Sequence, residues 1–498
     1  MGLRTFLQRG RSYRFSGALQ AAARNTTATV VARGVSMTAT VVFTALFSRH
    51  VGVEGFGQYA YALSLATLLG GVCGFGLDSW AIREAVHTPA QSTRIIGHSL
   101  FVQALLSVLC LGGLAVYFAF VHRDPTMLAV SLIVGTYIFL DVSALLVISV
   151  FRAREVMAYE AIAVVAGNVA MLVFTVAGIA MHVGIRGLLL LVCASYGLKF
   201  AVIVWYAKTR CGLGSIWREL RPSAGAVRSG FPFLVMSVGN TLYGTYPRLM
   251  LAAFVTIPVV GLYAAAERVI ALVAVVTGIL DIIIYPIFTR RVQTSREAFA
   301  RTYEQVTDFT LVVGLVIGLG VACLMPEIIF LLFGRGYERA VPIGMLLVPS
   351  ISMATLGFVN SRAMLSLHKE KMMSVTIAAT AGGGLAISLV LVHFFGAPGM
   401  AVTSLITSTA GFLLYFFYLR VKLGFPWITV RHLIYFTLFS AVFIVAYRIQ
   451  TAGLLERVLV NGALLLVALP VFRAVRLLDW LRVFQITMVG KDSRVSVA

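Results

Sequence analysis

The stretch TTATVVARGVSMTATVVFTAL, residues 26–46, combines an apolar run long enough to cross a membrane with a regular polar stripe. The stripe consists of side chains spaced three or four residues apart: Thr26, Thr29, Arg33, Ser36, Thr40 and Thr44. This spacing places them on one face of an α-helix, while mostly valine side chains occupy the other face. The stretch therefore predicts a membrane-spanning helix with one side suited to lipid and one polar side.

Arg33 is the residue of this stripe with the clearest functional consequence. A guanidinium group at membrane depth is costly unless it faces other protein or water. We therefore predict that the polar face, with Thr29, Ser36 and Thr40, lines a water-filled cavity in which Arg33 binds an anion. The alternative is that Arg33, about two turns from the helix start, extends to the nearby cytoplasmic surface.

The composition extends the membrane prediction to nearly the whole chain. Of the 498 residues, 60% are hydrophobic and only 12% are charged, whereas a soluble protein has about 25% charged residues. Recurrent apolar runs predict an all-α polytopic membrane protein of about 14 transmembrane helices. The net charge of +21 does not indicate nucleic-acid binding, because the Lys and Arg residues lie mainly in short loops. By the positive-inside rule, both termini are predicted to be cytoplasmic.

The sequence contains no motif for catalysis or cofactor binding. There is no nucleophile elbow, no phosphate-binding loop and no metal-ligand spacing, and the five cysteines form no disulfide pattern. We therefore expect a transport protein and not an enzyme, with no cofactor and no metal.

An internal similarity predicts two lobes. Residues 57–62 (GQYAYA) open the predicted second helix, and residues 261–266 (GLYAAA) open the predicted eighth. An offset of six helices implies two parallel six-helix lobes followed by two further helices; the alternative is that such motifs simply place Tyr at membrane interfaces. The predicted divisions are a basic cytoplasmic arm 1–25, an N-lobe 26–210, a cytoplasmic linker 211–229, a C-lobe 230–422, two last helices 423–475 and a cytoplasmic tail 476–498.

The predicted seventh helix is the second helix with an unusual polar face. Thr241, Thr245 and Arg248 share one face, Asn240 lies beside them, and Pro247 predicts a kink or break. In the repeat this helix corresponds to the first one, so it would bring a second arginine to the same cavity. The alternative is that Arg248 pairs with a carboxylate such as that of Glu267 and only joins helices 7 and 8.

The predicted eighth helix carries Glu267, Arg268 and Asp281. Glu267 and Asp281 are about four turns apart and would share a face, so either is a candidate for ion coupling. Asp281 could equally form a structural pair with a basic group. Asp141 and Lys199, in the predicted fourth and sixth helices, are expected to form a structural ion pair across helices.

A glycine-rich stretch ends the second span. Gly70, Gly71, Gly74 and Gly76 precede Asp78 and predict either close helix packing or a bend.

Two segments resemble a known family. Residues 48–59 (SRHVGVEGFGQY), the later GFGLDS at 74–79 and Arg83-Glu84 resemble the first outer loop and second helix of the polysaccharide-biosynthesis flippases, the Wzx-like members of the MOP superfamily. The segment VGLYAAA at 260–266, with Tyr285-Pro286, is similar to their eighth helix. The resemblance extends over residues 25–422.

The resemblance implies a protein of the cell inner membrane that moves an isoprenoid-diphosphate-linked oligosaccharide, such as an O-antigen, capsule or exopolysaccharide unit, from the inner to the outer leaflet by alternating access. Arg33, Arg248 and Arg268 would then hold the diphosphate. The implied partners are this substrate, membrane lipids and glycan-assembly proteins. Many relatives carry an acidic residue where this chain has Pro247, so any coupling to H⁺ or Na⁺ would use Glu267 or Asp281.

Two other functions are kept as alternatives. An ion-coupled, multidrug-type exporter of the same superfamily should offer acidic groups to a cationic substrate, whereas the first helix carries Arg33. A membrane glycan polymerase or ligase would be expected to have a long outer loop with basic or catalytic residues, and the predicted outer loops are short.

Overall fold

The computed structural model describes residues 3–88, 91–122, 124–214, 216–221 and 224–423, together with 453, 456–457, 459–460 and 463. Within these residues all regular structure is helical, and eight helices are long and apolar enough to cross a membrane. The all-α polytopic fold predicted from the sequence is therefore confirmed. The predicted helices 13 and 14 (423–475) and the tail (476–498) lie almost entirely outside the described residues.

The chain divides into two compact units, Met1–Leu249 and Met250–Ala498. The first contains α1 (Leu3–Gly74), α2 (Leu77–His87), α3 (Ser92–Tyr117), α4 (Pro125–Ala153), α5 (Met157–Ala180), α6 (Ile185–Arg210) and most of α7 (Ala224–Phe254). The second contains α8 (Ile257–Leu272), α9 (Ala274–Thr294), α10 (Arg296–Phe333), α11 (Ala340–Ser366) and α12 (Glu370–Leu423).

Two predicted outer loops are single-residue breaks within long helices. The sequence predicted connections at 51–58 and 396–399, but α1 and α12 are interrupted only at Gly52 (φ 70°) and Gly396 (φ 59°). Glycine lacks the Cβ atom that penalises a positive φ, so one residue can redirect the helix without a loop. The predicted span 260–287 is also divided, because α8 ends at Leu272 and α9 begins at Ala274.

Each unit has its own apolar core. In the first unit, Leu146, Val150 and Phe151 of α4 are fully buried against α3 and α6, where Ile96 and Ile203 contribute. Fully burying an aliphatic or Phe side chain contributes about 1.5–3 kcal/mol relative to exposure in water. This core fixes the helices that surround the polar residues described below.

The second unit adds a polar contact to its core. The Tyr303 hydroxyl of α10 donates to Asn360 Oδ1 of α11 at 2.6 Å, and Asn360 Nδ2 donates to the Phe412 carbonyl of α12 at 3.4 Å. The Asn360 amide thereby links three helices of this unit.

The two tyrosines of the repeated segments are buried core residues. Tyr59 accepts a hydrogen bond from the Tyr137 hydroxyl at 3.3 Å, and the Tyr263 hydroxyl lies 3.3 Å from Ser404 Oγ. Both rings are almost fully inaccessible. Both tyrosines thus pack against other helices, while the interfacial alternative and the parallel relation of the two lobes stay predictions.

The glycine-rich end of α1 provides both features that the sequence predicted for it. Gly76 has φ 63° and forms the turn between α1 and α2. A Cβ atom on Gly76 would lie 2.2 Å from Cβ and 2.8 Å from the carbonyl carbon of Phe233 in α7. The turn therefore needs glycine for its backbone conformation and for the close approach of α7.

We expect Gly76→Ala to destabilise the protein by about 2–4 kcal/mol, since it combines a left-handed alanine with an overlap against backbone atoms. The matched control is Gly112→Ala, at an exposed α3 position where an added Cβ meets no atom within 4 Å. The control should leave stability unchanged or slightly higher. Apparent Tm of the detergent-purified variants measures both, and equal Tm values would contradict the assigned role of Gly76.

Candidate functional site

A polar cavity of about 280 Å³ lies inside the first unit, between α1, α2, α3, α4 and α7. Its polar lining comes from five helices: Thr67, Asp78, Gln103, Asp141, Ser237 and Thr241. The large aliphatic residues in the lining are Ile138, Val142 and Leu145 of α4. Polar side chains are unusual inside a bundle of such apolar helices, because each buried polar atom requires a hydrogen-bond or ionic partner.

Glycines form one wall of the cavity. Gly71 of α1 faces α7 so closely that an added Cβ would lie 2.9 Å from Thr241 Oγ1. At the preceding residue, a Cβ on Gly70 would lie 2.9 Å from Ile138 Cγ2 of α4. The missing side chains thus bring α1 against both helices and leave the cavity between them open.

The cavity hydroxyls face the interior as hydrogen-bond acceptors. Thr67 Oγ1 donates to the Leu63 carbonyl at 2.6 Å, and Thr241 Oγ1 donates to the Ser237 carbonyl at 2.8 Å. Ser237 Oγ donates to the Gly71 carbonyl at 3.4 Å. A hydroxyl has one proton to donate and two lone pairs, so these three groups offer only lone pairs to the cavity.

Gln103 adds a further acceptor. Its side chain is 1% exposed, and Nε2 donates to the Gly74 carbonyl at 3.3 Å. Within the described part of the chain, the buried Oε1 atom has no hydrogen-bond partner. Leaving a buried acceptor unsatisfied costs about 1–3 kcal/mol, which indicates that a donor occupies this position in the working protein.

The carboxylate of Asp141 is held by a lysine, as the sequence predicted. Lys199 Nζ of α6 lies 2.5 Å from Asp141 Oδ1, with side-chain exposures of 16% and 31%. The ammonium also lies 5.4 Å from the centre of the Tyr196 ring. The prediction of a structural ion pair across α4 and α6 is confirmed, and one oxygen of Asp141 is engaged in it.

Asp78 supplies the second carboxylate of the cavity. In the described residues it makes neither a hydrogen bond nor an ion pair. Arg152 is within electrostatic range of Asp78, but its Nε and Nη2 atoms bond both oxygens of Glu160 at 3.1 and 2.7 Å. The cavity consequently presents acceptors and an excess of negative charge.

Part of the predicted stripe on α1 contacts α5. Thr29 Oγ1 lies 3.7 Å from Met157 Sδ, and Ser36 Oγ accepts from Asn168 Nδ2 at 2.7 Å. Arg33 and Thr40 are exposed on this unit. The stripe therefore has two roles, because some of its members fix α1 against α5; the anion-binding role of Arg33 stays a prediction.

Arg248 and the other predicted residues of α7 lie on a helix that supplies Ser237 and Thr241 to the cavity, but of the predicted residues only Thr241 is in the lining. Arg248 is half-buried, and its Nη2 donates to the Gly244 carbonyl at 3.3 Å. Thr245 is buried and donates to the Thr241 carbonyl at 2.8 Å, whereas Asn240 is exposed. The structure thus places Thr241 in the cavity lining and leaves Asn240 outside it.

Of the kink or break predicted at Pro247, the break is absent and the kink stays a prediction. Helix α7 continues from Ala224 to Phe254 through this residue. A proline removes one backbone donor, and a membrane helix tolerates that loss when neighbouring groups satisfy the freed carbonyl.

The second-unit candidates occupy two helices. Glu267 and Arg268 are half-buried on α8, whereas Asp281 belongs to α9 and its side chain lies outside the described residues. Glu267 and Asp281 thus belong to two successive helices that meet at Val273, and whether they share a face stays a prediction. Their roles in ion coupling, and that of Arg268 in anion binding, stay predictions.

The sequence analysis missed Thr67, Gln103 and Ser237 as site residues. A signal was present in α1 and α2, where Thr67, Gly71, Gly74 and Asp78 recur at steps of three or four and mark a small and polar face. Gln103 and Ser237 are isolated polar residues in apolar helices, and only the packing of α3 and α7 against α1 shows that they meet this face.

An all-helical, multi-pass chain with charged and polar groups inside its helices has the architecture of a membrane transporter. The family described as "Polysaccharide biosynthesis protein" matches residues 22–292, and the chain belongs to this family. No curated protein matches the sequence.

Solved structures show the same fold. The lipid II flippase MurJ in an inward closed conformation aligns with a TM-score of 0.68 at 13% identity, covering 90% of this chain and 98% of that one. An inward-facing multidrug resistance MATE family transporter of the MOP superfamily gives 0.66 at 13% identity, covering 79% and 98%. A MOP superfamily transporter from Pyrococcus furiosus Vc1 gives 0.56 at 12% identity, covering 81% and 95%.

Proposed function

We propose that this protein is a flippase that moves an isoprenoid-diphosphate-linked oligosaccharide from the inner to the outer leaflet of the cell inner membrane by alternating access. The family match and the shared fold with a lipid II flippase support this function. The substrate would be a unit of O-antigen, capsule or exopolysaccharide. Moving a lipid between leaflets breaks no covalent bond, so the protein would act as a transporter and not as an enzyme.

The observation that carries the proposal is the half-buried guanidinium of Arg248 on α7, the helix that also supplies Ser237 and Thr241 to the cavity. Its guanidinium bonds the Gly244 carbonyl, about one turn along α7 from Thr241 in the lining. A diphosphate cannot cross hydrocarbon unaided because its charges would lose their hydration. A guanidinium stays ionised and forms paired hydrogen bonds to phosphate oxygens. Arg33 and Arg268 are the other two proposed diphosphate ligands.

The remaining elements of the proposal follow from the sequence. Both termini would be cytoplasmic, and Glu267 or Asp281 would couple transport to H⁺ or Na⁺. Proteins of glycan assembly would deliver the substrate on the cytoplasmic side.

The test is to deplete the protein in its own cells and to identify the lipids that accumulate. We expect one isoprenoid-diphosphate-linked glycan to accumulate in the inner leaflet, because its synthesis continues while its removal stops. Mass spectrometry of the extracted lipids would also give its sugars. Unchanged lipid-linked glycans, together with unchanged surface polysaccharide, would contradict the proposal.

One observation favours a second candidate function. The acceptor lining and the spare carboxylate of Asp78 would also suit a cationic small molecule, and the fold is shared with a multidrug resistance transporter. An exporter of that kind would lower the accumulation of a cationic dye in cells that overproduce it. A flippase would leave dye accumulation unchanged.

A further inference from the structure

The cavity of the first unit has no ligand predicted from the sequence, and its lining restricts what can bind. Gln103 Oε1 is buried and unsatisfied among the described residues, and the three hydroxyls have already donated their protons to backbone carbonyls. Asp78 and the free oxygen of Asp141 accept hydrogen bonds only. A ligand must therefore bring several hydrogen-bond donors or a positive charge.

The size of the cavity favours a ligand with several hydroxyl groups. A volume of about 280 Å³ corresponds to roughly nine water molecules at ~30 Å³ each. A bare metal cation would need its oxygen ligands at about 2.3–2.6 Å, which a cavity of this size does not provide. One sugar ring, with hydroxyls that point in several directions, can reach acceptors on several walls at once.

The spacing along α7 between Thr241 and Gly244 is short enough for a sugar joined directly to a diphosphate. Gly244, whose carbonyl holds the Arg248 guanidinium, lies three residues after Thr241 in the cavity lining. Three residues of α-helix span about 4.5 Å. A diphosphate bound by Arg248 would therefore place its first sugar beside Thr241 and the glycine wall.

We propose that this cavity binds the sugar attached to the diphosphate and selects neutral or amino sugars over acidic ones. The inference rests on the proposed flippase function and adds to it a determinant of specificity. The selection follows from charge, because Lys199 already compensates Asp141 and Glu160 already engages Arg152. An acidic sugar would bring its carboxylate close to that of Asp78, and like charges repel.

The experiment uses the full-length protein in liposomes and three short-chain isoprenoid diphosphates with a fluorescent lipid tail: one without sugar, one with N-acetylglucosamine and one with glucuronic acid. A membrane-impermeant quencher measures movement between leaflets. The wild-type protein is expected to move the N-acetylglucosamine lipid about tenfold faster than the other two, since one or two hydrogen bonds change a rate by about this factor.

The variants separate sugar binding from headgroup binding. Gln103→Leu removes the unsatisfied acceptor and should lower the rate for the N-acetylglucosamine lipid about tenfold. Its rate for the sugar-free lipid should stay within about twofold of the wild-type rate, which shows that the variant is folded. Asp78→Asn should raise the glucuronic acid rate. Thr67→Val replaces a lining hydroxyl by a methyl group of the same shape. It takes the place of Gln103→Leu in the test if that variant does not fold. Thr310→Val, at a buried hydroxyl of the second unit, is the matched control.

Three outcomes would overturn the inference, and they can be told apart. If the wild type moves sugar-free and sugar-bearing lipids equally and the variants do not separate them, the sugar site is wrong while the flippase function stands. If no isoprenoid diphosphate moves, the proposed function fails and the sugar site with it. If Gln103→Leu abolishes binding of radioactive Na⁺ and preserves the sugar preference, the cavity is a cation site.

Discussion

Arg248→Ala is expected to abolish movement of a fluorescent isoprenoid-diphosphate glycan across liposome membranes, with a fall of at least about a hundredfold in rate. The expected loss is large because a charged hydrogen bond contributes about 1.5–3 kcal/mol and a guanidinium binds phosphate through two such bonds. In the structure Nη2 is held by the Gly244 carbonyl, close to Thr241 of the cavity. The side chain thus lies on the helix that supplies Ser237 and Thr241 to the cavity.

Two further variants test whether the loss comes from the headgroup. Arg248→Lys keeps the charge but offers a single ammonium in place of a planar fork, so it should restore only part of the rate. Arg186→Ala removes an exposed arginine that bonds Thr126 Oγ1 at 2.7 Å, and it should have no effect. If Arg248 only joins α7 to a neighbouring helix, Arg248→Ala will lower the Tm and slow all lipids alike, and this outcome would contradict the headgroup role.

Lys199→Met is expected to cause a large loss of stability in the first unit. It leaves the Asp141 carboxylate without the ammonium that now lies 2.5 Å away. Removing one partner of a fully buried pair costs about 3–5 kcal/mol. We expect about 2–3 kcal/mol here, because the two side chains are 16% and 31% exposed and solvent screens part of the charge.

The double variant Asp141→Asn/Lys199→Met should recover most of this stability, since it removes both charges. Glu160→Gln breaks the Arg152–Glu160 ion pair of the same unit and is the matched control. Arg152 is 38% exposed, so water can hydrate its charge once Glu160 is replaced. Apparent Tm in detergent reports all three variants. A Lys199→Met protein as stable as the wild type, or a double variant as unstable as the single one, would contradict the structural role of this pair.

The sequence predicted the class of fold well because the bilayer imposes one strong rule. Backbone groups in hydrocarbon must be satisfied within the helix, so long apolar runs could be assigned as helices. Breaks inside these helices were harder to place. A glycine such as Gly52 can redirect a helix without any loop, and Pro247 failed to interrupt α7.

The candidate site was predicted only in part, for a different physical reason. Periodicity assigns side chains to a face of one helix, and it identified Thr241, which lines the cavity. It does not show which helices pack together. The cavity forms because Gly71 allows α1 to approach α7, and this contact brings Ser237 and Gln103 into one site from distant parts of the chain.

Reconstitution of the purified protein with a fluorescent isoprenoid-diphosphate N-acetylglucosamine lipid tests the central claim most directly. In protein-free liposomes about half of the label, that in the outer leaflet, is accessible to a membrane-impermeant quencher. The account predicts that the protein makes nearly all of the label accessible, and that Arg248→Ala returns the accessible fraction to one half. Equal accessibility with and without the wild-type protein, or full activity of Arg248→Ala, would contradict it.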